Sequence, residues 1–586
     1  MPQAPDPLKR FRNRQQSLAE QWRNRLAQVD ALPQLTLLGV LCGLFASGVI
    51  VSFRLLVEGS LSWALPGGAE NFEALPPWLR FALPVAGGLV LTGLIYAFSA
   101  RHRPTGVSHV LDRLHNHQGY LPLRNAVVQF VGGAIALISG HSAGREGPAV
   151  HLGAASASKL GQWLRLPNNS LRPLIACGVA AAIAASFNTP MAGVIFAMEV
   201  VLMEYTIAGF IPVILAAVVG TTFTQLVFGP DFAFVDGQQL TGHLGEFPAM
   251  AGMGLLIAVA AAVYIWMHSR CVQHTQSWPL WLKLPLAGLI AGAGGWLIPP
   301  VMGMGYDTIN QAMTGELAAP VLVVILIGKL LFTALVLGLG VPGGVIGPTL
   351  VMGACLGGAA GYIAQWLPLE VSEPGVYAIV GMSAMMAAVL NAPLAAIIAI
   401  LELTYNPGIL FPGMLVVVIA CLSTRWLFRC DGLFATLLSL EGKSNQPQMM
   451  QQLLSRTGVR SLMHRRFCIT QRLLSPTQAR ALLKLQPEWL VLQEKQLLIE
   501  PAALARHLES LEEAAAPKAT EQANELDLLD MPARRLEMVE ISPNANLYEA
   551  LQTLNKAQVD ALFVRAPGGG IAGLVARDQI ESYYRL

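Results

Sequence analysis

Between Leu32 and Phe428 the chain is a succession of apolar stretches of helix-forming length with few charges inside them, and this feature removes most architectures at once. About 20 apolar residues suffice to cross the roughly 30 Å hydrocarbon core of a bilayer, where every peptide group must find its partner within the protein. Helices and closed barrels alone meet that demand, and continuous apolar runs of this length fit helices. The region is therefore expected to be an all-α polytopic membrane protein. The whole chain, 586 residues with 54% hydrophobic and 13% charged, is far from a soluble balance. Its first 31 residues carry Lys9, Arg10, Arg12, Arg14, Arg23 and Arg25 without an apolar signal core, so they are expected to stay uncleaved and cytoplasmic. A multi-pass protein of the cell (inner) membrane with both termini cytoplasmic follows. A net charge of +2 spread over termini and short loops speaks against nucleic acid. The seven cysteines are scattered and form no CxxC pair, so neither disulfides nor a metal site is expected.

After Phe428 the long apolar stretches stop, and residues 441–456 read as a linker that includes Gly442, Lys443 and Ser444. Beyond it Ser475-Pro476 opens a helical run, followed by strands at Trp489 to Leu492 and Leu497 to Ile499 and another helix. Ser542-Pro543 opens the same order again, with strands Ala561 to Val564 and Ile571 to Val575 around Gly568-Gly569-Gly570 and a helix from about Arg577. Two such units, about 457–510 and 526–586, resemble a pair of CBS domains and give a small α+β cytoplasmic domain. Gly573-Leu574-Val575-Ala576-Arg577-Asp578 is similar to the end of a nucleotide-binding CBS motif, with Ala576 lacking the hydroxyl often found there. A regulatory pair taking an adenine nucleotide and a structural, dimerising tail both fit this stretch.

The membrane part, residues 32–440, repeats itself. Phe187-Asn188-Thr189-Pro190-Met191-Ala192-Gly193 returns as Leu390-Asn391-Ala392-Pro393-Leu394-Ala395-Ala396, and Glu199 as Glu402, at one offset of 203. Gly144, Gly147, Pro148 and Gly153 return as Gly344, Gly347, Pro348 and Gly353 at an offset of 200. Two matches in the same order imply duplicated halves, about 32–230 and 250–440. Pro and Gly cut the helices at matching places, and the backbone they free must line a polar cavity. The first turn of a helix offers free amide hydrogens and about half a positive charge, so converging helix starts suit an anion. One start contributes roughly 0.3 to 2 kcal/mol against several kcal/mol for desolvating an ion, so several must meet.

Gly144-Arg145-Glu146-Gly147-Pro148 matches in full the GREGP signature of the CLC family of chloride channels and transporters. Gly344-Val345-Ile346-Gly347-Pro348 resembles its GxFxP signature with Ile346 in place of Phe, and Pro104-Thr105-Gly106-Val107-Ser108 weakly resembles GSGIP. The resemblance implies an inverted repeat of tilted, broken helices, a homodimer with one anion path per subunit, and chloride as substrate with no required cofactor. It places the anion on the amides of Val345 and Ile346, beside Gly147, and on the hydroxyl of Thr105. A tyrosine usually completes the site, and Phe434 stands there instead. Glu146 is the implied gate, a carboxylate at a helix start that competes with the anion until it is protonated. Proton-coupled members carry an internal glutamate where Val200 stands, which favours passive conduction; Glu199, Glu204 or water could carry protons instead, leaving proton-coupled antiport as the alternative.

Other classes fit less well. An intramembrane hydrolase built on His141, Ser142 and Glu146 would need neighbours that point apart on a helix, so no enzyme is expected. His109, His115 and His117 lack a metal-like set of carboxylates and are expected on a solvated surface.

Overall fold

The computed structural model describes residues 20–21, 23–27, 31–66, 68, 70–229, 244–366, 368, 371–443, 449–514, 525–566 and 569–585. Lys9, Arg10, Arg12 and Arg14, Ser444 of the expected linker, and Gly568 of the glycine turn lie outside these residues. The chain forms two units, one of Leu32–Leu164 with Leu171–Gln446 and one of Met1–Ala31, Arg165–Ser170 and Pro447–Leu586.

The first half of the membrane unit runs through α1 (Leu32–Ala64), α2 (Pro77–Tyr96), α3 (Gly106–Asn116), α4 (Leu123–Ile138), α5 (Glu146–Trp163), α6 (Asn168–Phe187), α7 (Pro190–Phe196) and α8 (Ile207–Phe228). The second runs through α9 (Phe247–Thr275), α10 (Leu280–Leu297), α11 (Tyr306–Met313), α12 (Ala319–Gly338), α13 (Ile346–Ala364), α14 (Pro374–Leu390), α15 (Pro393–Thr404), α16 (Leu410–Trp426) and α17 (Leu433–Leu440). Among the described residues nine helices are long and apolar enough to cross a membrane, while α3, α7 and α11 are too short to do so.

The repeat is visible in the backbone. Asn188 and Asn391 end α6 and α14 in the left-handed region, at φ 59° and 57°, a conformation asparagine tolerates better than most residues. Pro190 and Pro393 then open α7 and α15, where a missing N–H costs nothing. Helix packing repeats as well. A Cβ on Gly153 would lie 2.3 Å from the carbonyl oxygen of Gly178, and one on Gly353 would lie 2.3 Å from that of Gly381. Glycine is therefore what lets α5 cross α6, and α13 cross α14, at backbone contact distance.

The tail unit is α+β. Its larger sheet runs in the order β1 (Phe467–Thr470), β2 (Trp489–Leu492), β3 (Leu497–Ile499), β4 (Arg535–Ile541), β5 (Ala561–Arg565) and β6 (Ile571–Ala576). The pairs β2/β3 and β5/β6 are antiparallel hairpins, as the sequence suggests, whereas β1 at the edge and β4 in the middle pair in parallel with β2 and β5, two strands that alternation alone does not reveal. Ser475 caps the helix Pro476–Lys484 in a capping box, but in the second unit Asn546 with Glu549 does so, four residues beyond Ser542. The expected linker is itself helical over Met449–Ser455, and the unit after it opens on a short helix, Val459–Leu462.

Candidate functional site

The two duplicated motifs meet. The Gly144 amide donates to the Gly344 carbonyl at 2.8 Å and the Gly344 amide donates to the Gly144 carbonyl at 2.7 Å, an antiparallel bridge between the halves. From it α5 starts at Glu146 and α13 at Ile346, each preceded by Arg145 or Val345 without a side-chain cap. Pro148 and Pro348 sit in the first turns, where no intrahelical N–H is needed.

The Glu146 side chain fills the space between these starts. It is fully buried, its Oε1 accepts from the Tyr306 hydroxyl at 3.2 Å, and the Gly347 amide at the start of α13 also donates to it. Its Oε2 has no hydrogen-bond partner among the described residues. Three motif glycines make the niche. A Cβ on Gly144 would lie 1.9 Å and one on Gly344 2.7 Å from Oε2, and one on Gly347 would lie 3.1 Å from Oε1. The carboxylate thus stands at a helix start, where a mobile anion would be attracted. Gly147 serves packing: its Cβ would lie 2.7 Å from the Gly343 carbonyl oxygen.

Arg145 does not pair with its neighbour. Its Nη1 donates to Glu58 Oε1 at 2.7 Å, while the guanidinium lies 4.9 Å from the Phe187 ring centre and 5.4 Å from that of Tyr306. Glu58 also binds Arg54, and Glu70 accepts from the Tyr306 amide at 3.0 Å. These groups and Asn188 line a cavity of about 240 Å³. Tyr306 lies in none of the sequence motifs. The signal was there, because α11 begins 200 residues after α3, the offset of the motif repeat, and both starts follow or contain a left-handed glycine, Gly106 at φ 81° and Gly305 at φ 83°.

Val200 and Phe434 line a second cavity, of about 420 Å³, together with Asn391, Glu199 and Lys443. Asn188 and Asn391 are repeat equivalents, so in an inverted repeat the two cavities open on opposite membrane faces. Thr105 precedes α3 without capping it, and the Gly106 amide donates to Gln129 Oε1 at 2.7 Å. Gln129 and Lys329 are again 200 apart, and each ties down a loop. Gln129 Nε2 donates to the Pro342 carbonyl, and the fully buried Lys329 Nζ donates to those of Val301, Met302 and Gly303.

Glu199 and Glu402 exchange places between halves. Glu199 accepts from the amides of Leu394 and Ala395 at 3.2 and 2.7 Å, and Glu402 accepts from those of Met191 and Ala192 at 2.9 and 2.8 Å. Each carboxylate caps the other half's broken helix. The expectation that the histidines near α3 are solvated meets contrary geometry. His109 and His115 are 6% and 7% exposed rather than solvated, because α3 is amphipathic and turns that side into the protein. His141 bonds Ser139, and Ser142 bonds Thr333, so Ser142 and His141 do not pair, as the sequence implies.

Residues 87–425 match the family described as voltage gated chloride channel. A ClcB-like protein of Ralstonia nicotianae is 34% identical over 62% of this chain and 87% of its own length. The H(+)/Cl(-) exchange transporter ClcA of Vibrio cholerae is 29% identical over 64% and 82%, and the voltage-gated ClC-type chloride channel ClcB of Citrobacter koseri is 29% identical over 67% and 94%. Among solved structures, a slow cyanobacterial Cl-/H+ antiporter superposes with TM-score 0.61 at 23% identity, over 70% of this chain and 99% of that one. A eukaryotic CLC transporter superposes with TM-score 0.57 at 20% identity over 95% and 98%, a likeness of fold that extends into the tail.

Proposed function

Since the chain belongs to the voltage gated chloride channel family and transports small anions rather than catalysing a reaction, we propose that it exchanges chloride for protons, with Glu146 as the group both ions share. The observation that carries this reading is the Glu146 carboxylate lodged between the starts of α5 and α13. Deprotonated, it is an anion held by helix-start amides and the Tyr306 hydroxyl. Protonated, it loses the charge those donors attract, leaves the niche, and chloride takes its place on the amides of Val345 and Ile346. A proton bound in exchange for an anion displaced is, in one residue, the coupling step of an antiporter.

The exchange transporters among the relatives support this reading over the passive conduction that an apolar Val200 favours. Glu199 is an unsuitable relay on this account, because both its oxygens are engaged at the start of α15. No cofactor is needed. The same resemblance supports a homodimer in the inner membrane with cytoplasmic termini, expected to run in detergent at about twice the 62.6 kDa of one chain. A single-chain mass there rejects the dimer.

The deciding test is a reversal potential measured with equal chloride and a pH gradient across reconstituted bilayers. A shift toward the proton potential that vanishes in Glu146→Gln, with anion current kept, is expected. No shift in the unaltered protein leaves a passive channel.

A further inference from the structure

We propose that His109 and His151 form a proton station between the Phe434 cavity and Glu146, doing the work for which Val200 has no titratable group; this rests on the exchange reading above. The two rings face each other edge to face, centroids 5.3 Å apart and planes at 62°. His151 is fully buried and His109 is 6% exposed, and Nε2 of each has no hydrogen-bond partner among the described residues. An unsatisfied buried polar atom keeps the full cost of its desolvation, so packing alone would be served better by apolar side chains here.

The opposite edge of His151 shows what the ring can do. Its Nδ1 lies 3.2 Å from Gln129 Oε1, which only accepts, and 3.3 Å from the Gly106 amide, which only donates. With its proton on Nδ1 the ring donates to Gln129; with its proton on Nε2 it accepts from Gly106. Both neutral tautomers are served, and so is the imidazolium, whose Nδ1–H again meets Gln129. A proton taken up on one nitrogen and released from either restores the neutral ring, so nothing else is consumed.

His109 stands on α3, whose Leu111 lines the Phe434 cavity. The charged and titratable groups facing it are Arg113, Asp112, Lys443 and His117, and the group facing His151 is His109 itself. Lys443 lines the Phe434 cavity and is bonded to Asp112 at 3.0 Å. Protons from that cavity pass to His109, then to His151, which stands on α5 five residues beyond Glu146. The last roughly 7.5 Å of helix rise runs past the starts of α3 and α5, and the proton ends on the Glu146 carboxylate.

The test uses the full chain in liposomes, with proton uptake and chloride efflux recorded together under a chloride gradient. In His109→Gln and His151→Gln the proton-to-chloride ratio is expected to fall by about tenfold or more while chloride efflux persists. His109→Glu keeps a titratable group and is expected to keep the ratio. An unchanged ratio in both glutamine variants overturns the station and leaves exchange through Glu146 standing. No proton uptake by the unaltered protein overturns both. Should the glutamine variants lose chloride efflux as well, His109→Glu decides: efflux with proton uptake supports the station, and efflux without it overturns it.

Discussion

At the scale of single residues, the site depends on what is missing from three glycines as much as on the carboxylate they surround. Gly347 is the most informative, because the nearest atom a Cβ there would meet is Glu146 Oε1 at 3.1 Å, with Gly144 Cα next at 3.5 Å. Gly347→Ala leaves the fold room and pushes on the Glu146 carboxylate alone. Chloride efflux from liposomes is expected to rise at neutral pH and to depend less on acidification; efflux like that of the unaltered protein would mean the niche is not the closed position of the gate. Tyr306→Phe tests the other contact. A hydrogen bond to a charged acceptor is worth about 1.5 to 3 kcal/mol, so losing the hydroxyl is expected to raise neutral-pH efflux roughly tenfold or more if the closed state limits flux. Glu146 and the three glycines are legible in the sequence through two short motifs at one repeat offset. Tyr306, 160 residues away from Glu146, lies in neither, and its local surroundings are a Gly-Met-Gly turn.

At the scale of elements, the duplicated halves hold each other by their broken ends. The reciprocal caps place Glu199 on α15 and Glu402 on α7, and substituting a capping group typically costs about 0.5 to 2 kcal/mol. Glu199→Gln and Glu402→Gln are each expected to lower the thermal midpoint of the purified protein by a few degrees and to leave the proton-to-chloride ratio alone. A collapse of that ratio in Glu199→Gln, with Glu402→Gln unaffected, would restore Glu199 as a proton carrier. The repeat in the sequence announced that these glutamates correspond, but not that they cross over. A correspondence fixes the symmetry, and the partner follows only when the second half is placed against the first. The histidines teach the same lesson. Nearness to a loop implies a solvated face, whereas packing of α3 against α5 buries His109 and His115.

At the scale of the whole molecule, the apolar surface describes its own solvent. Among the described residues of the membrane unit, all nine tryptophans are at least 40% exposed, up to 87% for Trp366 and 90% for Trp63. Indole prefers the boundary between headgroups and hydrocarbon, where its ring is buried and its N–H stays wet. In liposomes made with brominated lipids, intrinsic fluorescence is therefore expected to drop by well over half, with little further loss to aqueous acrylamide. Strong acrylamide quenching without a lipid effect would show that these surfaces face water.

By itself the sequence determined the solvent, the helical class, the duplication and which carboxylate stands at a broken helix start, because hydropathy, proline and glycine spacing act over a few residues or repeat at a fixed interval. The tertiary structure alone decided which donors hold that carboxylate, which half caps which, and which histidines meet in the interior. Those are contacts between distant segments, set by how helices cross, and no local pattern encodes the crossing.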